Sequence, residues 1–234
     1  MIYCLPLSIL HALNDFDSRI TLAINALHNS YWDSFMFMYS DKYVWLIFYL
    51  SFAFVIFKFY RWSVGAKFFI AAILLLIIDD QICSSVLRFW IARLRPSNLD
   101  NPISQYIHIV AGHRGGRYGC PSAHACNTFG LAFFLFFCFR RHILSSTTLF
   151  WAALTCYSRI YLGVHYFGDC VLGMVLGGVN ATVIYCLFRH FLRSTAYILK
   201  PHHQLNDPPL YIPVIVCWSV IFTMMLLAIN VSPS

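Results

Sequence analysis

The 234-residue chain contains no glutamate, and charged residues of every kind make up only 11% of it, against about 25% in an ordinary soluble domain. Its only carboxylate side chains are nine aspartates, set against twelve arginines and four lysines for a net charge of +7. With 60% hydrophobic residues, a soluble single-core protein is excluded, because one core of this size could not hide that much apolar surface. An aromatic share of 18% excludes disorder. There is no run or periodic stripe of basic side chains, so a nucleic-acid partner is not expected. The nine cysteines form no CxxC pair and are scattered through apolar stretches, which describes small buried residues and not a disulfide frame. The first residues lack the basic n-region of a cleaved signal, so insertion is expected to rely on internal spans.

What is there is a series of apolar runs of membrane-crossing length, at about 20 residues each or somewhat fewer with snorkelling flanks. Six such runs cover residues 43–57, 66–87, 122–139, 143–157, 170–188 and 208–234. Before them, residues 5–40 mix leucine and isoleucine with Asp15, Asp17 and Arg19, the pattern of a helix lying in the membrane surface. The expectation is an all-α polytopic bundle of about six transmembrane helices plus an N-terminal interfacial helix. It reads as one domain: an interfacial segment 1–42, a helical core 43–190, and a cytoplasmic connection with the last span at 191–234.

Alternating spans put loops 88–121 and 158–169 on the side of the termini, and 58–67, 140–141 and 189–209 on the other. Each side holds eight cations. Setting aside Arg88, Arg95 and Arg159 as residues reserved for chemistry leaves five against eight, so the second side is expected to be cytoplasmic.

Three segments on the outward side stand out. Arg88-Phe-Trp-Ile-Ala-Arg-Leu-Arg95-Pro96 closes the second run, with Pro96 expected to stop the helix. Pro121-Ser122-Ala123-His124 opens the third, where helix-start N–H groups offer an anion site. Ser158-Arg159 is followed by His165 and Asp169, four apart and on one face if helical, so that the carboxylate could orient the imidazole. Singly, each has an ordinary structural reading: interface arginines, a capping serine, a buried His–Asp pair.

Together they resemble the type-2 phosphatidic acid phosphatase superfamily of lipid phosphate phosphatases. That signature is Lys, six residues, Arg-Pro; then Pro-Ser-Gly-His; then Ser-Arg, five residues, His, three residues, Asp. Every spacing is kept, with Arg88 in place of the lysine and Ala123 in place of the glycine. The resemblance implies metal-independent phosphoryl transfer without a cofactor. In it His165 is the nucleophile, Asp169 orients it, and His124 is the general acid and base. Arg88, Arg95, Ser122 and Arg159 would hold the phosphoryl oxygens. The implied partner is a lipid phosphate in the bilayer of a bacterial inner membrane, met from the periplasmic face. Undecaprenyl pyrophosphate is the first expectation, a lipid A 1- or 4'-phosphate the alternative, and phosphatidylglycerophosphate or phosphatidate come after. The oligomeric state is left open.

Other features fit around that reading. Asp79 and Asp80, at about 2.5–3.5 kcal/mol each at mid-span, cannot both face lipid and are expected to support the arginines. Gly173, Gly177 and Gly178 permit close helix approach inside the monomer. Arg114 and Arg117, flanking two glycines, are candidates for head-group binding. His108 and His113 have no third ligand nearby, so no metal is expected, and His202-His203 reads as solvated. A transporter is the reading from another class, resting on the spans and the intramembrane aspartates; a phosphate-lipid binding protein that has lost catalysis is another.

Overall fold

The computed structural model describes residues 7–192 and 209–230; Cys4, the connection 193–208 and with it His202-His203 lie outside the described residues. Within them the chain is helical throughout, and extended pairing is limited to one bridge between Leu94 and Tyr118. The helices are α1 (Leu7–Asn25), α2 (Ser30–Ser40), α3 (Leu46–Phe59), α4 (Trp62–Asp80), α5 (Arg88–Ile91), α6 (Ala123–Phe139), α7 (His142–Tyr161), α8 (Phe167–Leu192) and α9 (Tyr211–Leu227). A π-helical segment, Gln81–Leu87, joins α4 to α5 without a break.

Three helices are long and apolar enough to cross a membrane by themselves: Lys42–Phe59, Trp62–Ile91 and Phe167–Phe191. Ala123–Phe139 and Tyr211–Leu227 are apolar but have 17 residues each. The run expected at 143–157 is different in kind. It lies in the 20-residue α7, whose Ser145, Thr147, Thr148, Thr155 and Ser158 are buried against its neighbours.

Side-chain caps set several of the boundaries. Asn29 accepts from the Trp32 amide to start α2, Asp41 accepts from the Tyr43 amide at the entrance to α3, and Ser122 caps α6. The helix that ends in α5 does not run to Pro96 as expected. It stops at Ile91, where Ala92 adopts a left-handed conformation (φ 49°). The chain then continues extended, with Gly119 N–H donating to Arg93 O at 2.9 Å and Arg95 N–H to Arg117 O at 3.1 Å.

The N-terminal region forms two helices where one was expected, and α1 is amphipathic in an inverted sense. Asp17, Thr21 and Asn25, one helical stripe at i, i+4 and i+8, are buried against the protein, whereas Leu13 and Phe16 are 54% and 60% exposed. A polar stripe thus faces the protein, while Leu13 and Phe16 are exposed alongside Asp15 and Arg19, a mixed surface suited to the bilayer boundary.

The centre of the bundle is the pairing of α6 with α8. A Cβ placed on Gly177 would stand 2.3 Å from the Cys126 carbonyl oxygen, and one on Gly173 2.5 Å from that of Ser122. The small residues therefore let the two backbones touch within the monomer. Asp79 sits at the same junction, its Oδ1 accepting from Asn180 Nδ2 at 2.7 Å. It pairs with no arginine, and neither does Asp80, so the expected support of the arginines is not what these residues do. Aromatic rings fill both ends: Phe68, Phe134 and Phe188 meet at one, Tyr39, Trp45, Phe48 and Trp151 at the other.

Gly177→Ala should cost about 1–3 kcal/mol, the range for overpacking a tight contact, and lower the thermal unfolding temperature of the detergent-solubilised protein. Gly178→Ala, whose Cβ would meet only Phe133 ring atoms at 3.4 Å, should change it little. Equal shifts for the two would mean that the α6–α8 approach does not limit stability.

Candidate active site

The loops that precede α6 and α8 meet at one end of this junction. A cavity of about 530 Å³ elsewhere is mostly apolar, between α2, α7 and α9, but the one that gathers the sequence motifs is polar. It has a volume of about 470 Å³ and is lined by Arg88, Arg95, His124, Arg159 and His165, with Ala123 beside His124. Five residues from all three segments thus face one space. Arg88 comes from α5, Arg159 from the last turn of α7, His124 from the first turn of α6, and Arg95 and His165 from the loops.

His165 lies two residues before α8 and Asp169 in its first turn, so the pair is not on one helical face as the spacing suggested. It forms nonetheless, with His165 Nδ1 3.5 Å from Asp169 Oδ2. On the other side of the ring, Arg95 Nη1 is 3.1 Å from His165 Nε2 and donates to Val164 O at 2.8 Å. A guanidinium can only donate, so Nε2 is the acceptor and the ring proton sits on Nδ1, toward Asp169. The nitrogen left with a lone pair is the one that faces the cavity arginines.

Electrostatics reinforce that state. Burial, then Arg95, Arg159 and Arg88, push the His165 imidazolium well below its ordinary value of 6.5, so the neutral ring is the resting form. Burial and the same neighbours, Arg159 and Arg88, lower Arg95 to about 10, which leaves it charged near neutrality. None of Arg88, Arg95 and Arg159 has an ion-pair partner among the described residues, and the Nε atoms of Arg88 and Arg159 are buried without a hydrogen bond. Arg159 does reach Ser40 Oγ on α2. Three guanidinium groups line one cavity whose only carboxylate among the described lining residues, Asp80, lies two turns from Arg88 and pairs with none of them, which makes the end at Arg88 an anion site.

Asp169 stands on the Nδ1 side of the His165 ring, opposite Arg95. It is held there by Arg93, an element that the motif reading passed over. Arg93 Nη1 lies 3.1 Å from Asp169 Oδ1 and 2.6 Å from Asp17 Oδ2, while Arg93 Nη2 donates to Asn14 Oδ1 at 2.9 Å. Burial opposes the Arg93 charge, but Asp169 and Asp17 outweigh it and hold its pKa above the ordinary value. Arg93 and Arg95 are i and i+2 in extended backbone and so share a face, one meeting the carboxylate and the other the imidazole. Asp17 Oδ1 also accepts from the Gly168 amide at 2.7 Å, and Thr21 Oγ1 from the Phe167 amide at 3.2 Å. These are two of the orphan donors that begin α8, so a helix far away in sequence caps the helix that carries Asp169. Gly119 closes the fit, since a Cβ there would be 3.0 Å from both Arg95 Cγ and Asp169 Oδ2.

Three expected ligands are placed otherwise. Ser122 is fully buried, its Oγ accepting from the Ala125 amide and its own N–H donating to Asp169 O at 3.0 Å, so it fixes the α6–α8 junction and does not line the cavity. Arg114 is tied to Ser97 by its Nη1 and its carbonyl, and Arg117 pairs with Asp100 at 3.4 Å on the surface. His108 pairs with Asp33 at 2.9 Å and stacks on His28, while His113 meets Phe37. Among the described residues no three His, Cys or Asp side chains converge as metal ligands would.

Two outcomes follow from this geometry. On the expectation that His165 reacts as the neutral ring, whose pKa is lowered, the acid limb of kcat/KM belongs below pH 6.5. Asp17→Asn removes a negative charge that favours the imidazolium, so that limb should move to lower pH. In the same variant kcat should fall about tenfold, or 1.4 kcal/mol, with KM within about twofold. A changed KM with an unmoved pH profile would show that Asp17 only supports the fold.

Residues 66–193 match the PAP2 superfamily family model. The chain is 42% identical over 173 residues to a lipid A 4'-phosphatase of Bacteroides thetaiotaomicron, covering 74% of this chain and 77% of that protein. It is 34% identical over 176 residues to a lipid A 4'-phosphatase of Porphyromonas gingivalis, covering 74% and 73%. No solved structure matches significantly. With the motif residues gathered in one cavity and the family model spanning more than half of the chain, the protein belongs to the PAP2 superfamily and is a phosphoric-ester hydrolase.

Proposed function

We propose that this protein removes a phosphate from the sugar of a lipid A-type glycolipid, most directly the 4'-phosphate, through a phosphohistidine intermediate. The observation that carries the chemistry is the neutral His165 presenting Nε2 to a cavity bordered by three unpaired guanidinium groups. The substrate follows from the two relatives, both described as lipid A 4'-phosphatases. They favour the lipid A alternative over undecaprenyl pyrophosphate, which the motifs alone had placed first.

In the first step the His165 Nε2 lone pair attacks phosphorus, and the bond to the sugar oxygen breaks as His124 donates a proton to that oxygen. Charge builds on the equatorial phosphoryl oxygens, where Arg88, Arg95 and Arg159 and the first-turn amides of α6 stand ready. The phosphorylated ring is cationic, and Asp169 Oδ2, opposite Nδ1–H, offsets that charge. In the second step His124 takes a proton from water, the water oxygen bonds to phosphorus, and the P–N bond breaks to release phosphate. Arg93 keeps Asp169 in register in both steps.

The spans supply the setting. Six crossings, α3, α4–α5, α6, α7, α8 and α9, with both outward loops on one face, leave the lipid's acyl chains in the bilayer while its phosphate reaches the arginines. That face is the periplasmic side of a bacterial inner membrane in this reading, and the cation-rich turns near Arg61 and Arg140 lie in the cytoplasm. A transporter reading loses its support, since Asp79 is buried on Asn180 and Asp80 borders the hydrolytic cavity.

The test is phosphate release by the purified protein from bis-phosphorylated lipid A and from undecaprenyl pyrophosphate, with mass spectrometry locating the phosphate lost. Loss from the 4'-position, undiminished by EDTA and reduced by at least about 10³-fold in His165→Ala, is expected. Near-normal turnover by His165→Ala would overturn the phosphohistidine route, and preference for the pyrophosphate would overturn the substrate.

A further inference from the structure

The polar cavity does not end at the phosphate. On each of three helices its lining continues below the residue that faces the phosphoryl group. Arg88, Ser84 and Asp80 follow one another at four-residue intervals down α5, the π-helical segment and α4; Asn127 and Thr128 lie a turn below His124; and Thr155 lies a turn below Arg159. The segment between Asp80 and Arg88 is π-helical and rises less per residue than an α-helix, so Asp80 is under about 12 Å from Arg88 along the axis. Trp90, 83% exposed within α5, is the kind of residue that sits at a membrane interface, and Asp80 lies under about 15 Å from it along the axis, toward the hydrocarbon depth.

The groups at that depth are not used up within the protein. Thr128 and Thr155 donate their hydroxyl protons to carbonyls one turn back, at 2.8 and 2.9 Å. Among the described residues Asp80 has one hydrogen-bond partner, Ser84 Oγ at 3.3 Å, and Asn127 Oδ1 is buried without any. A prenyl or diacylglycerol tail placed under the phosphate would leave these groups facing hydrocarbon. A phosphorylated sugar does not: its ring places hydroxyl and amide groups directly beneath the phosphate, and acyl chains only below those.

Resting on the glycolipid reading above, we infer that Asp80, Ser84 and Asn127 form a subsite that hydrogen-bonds the hydroxyl and amide groups of the sugar bearing the scissile phosphate. Asp80 accepts from ring hydroxyls, and Asn127 both accepts and donates. The subsite gives the enzyme its preference for sugar phosphates over alkyl ones, since hydrogen-bonding sites left unpaired discriminate strongly.

The experiment compares kcat/KM for lipid A and for a prenyl monophosphate in wild type, Asp80→Leu, Asn127→Leu and the conservative Asp80→Asn. The glycolipid-to-prenyl ratio should fall at least tenfold in the two leucine variants and less than threefold in Asp80→Asn, whose amide still bonds hydroxyls. Inhibition by dephosphorylated lipid A should weaken at least tenfold in the leucine variants, while that by vanadate shifts less than twofold, which also reports that the phosphate site is folded. A ratio and a product inhibition that stay within twofold of wild type would overturn the subsite alone. A leucine variant that loses vanadate inhibition has lost the phosphate site itself and would overturn the separation of the two regions. Wild-type protein that hydrolyses prenyl phosphate and not lipid A would overturn the glycolipid reading instead.

Discussion

The site depends on where one buried carboxylate is held. Asp169 meets His165 at Nδ1 while Arg95 meets the same ring at Nε2, and in a buried, weakly screening setting the position of such a charge counts for much. Arg93 holds Oδ1, and Asp17 fixes Arg93 in turn. The acid is thereby left one task, to face Nδ1–H of the nucleophile. The cavity arginines, with no ion pair of their own, remain open to an anionic ligand. Arg95 at Nε2 and Asp169 at Nδ1 thus agree on one tautomer of His165, while Asp17 serves both Arg93 and the start of α8.

The chemistry was legible in the sequence to an unusual extent. The spacing of Arg88, Arg95, His124, Arg159 and His165 identified residues that are brought to one cavity from three separate segments of chain. What the spacing could not reveal is direction. Ser122 sits in the second segment like its neighbour His124, but as the N-cap it turns into the helix end and is consumed there. Arg114 and Arg117 look like head-group ligands in a list of charges, but their loop uses them to hold itself together.

Arg93 and Asp17 were missed for a related reason. Arg93 was one of three arginines at a helix exit, and only the left-handed Ala92 places it two residues from Arg95 on an extended segment and not on a helical turn. Asp17 belonged to a stretch read as a surface helix, and the Gly168 amide that it accepts from lies 151 positions away, beyond any periodicity argument. One signal was available: Asp17, Thr21 and Asn25 repeat every four residues, a polar stripe on a helix whose other faces are mixed. On a membrane-surface helix such a stripe is normally assigned to water. Here it points to the protein, while Leu13 and Phe16 are exposed. The span count suffered from the same ambiguity, since α7 buries its hydroxyls inward and has no strongly apolar run to announce it.

The inverted amphipathicity of α1 has a further consequence. The stretch that matches the family, residues 66–193, holds every motif residue and none of the side chains that cap α8 from outside. The unit of recognition and the unit of assembly are therefore different lengths of chain. Because α1 caps the first turn of α8, where Asp169 sits, whatever loosens α1 reaches the His165–Asp169 pair without touching a motif residue.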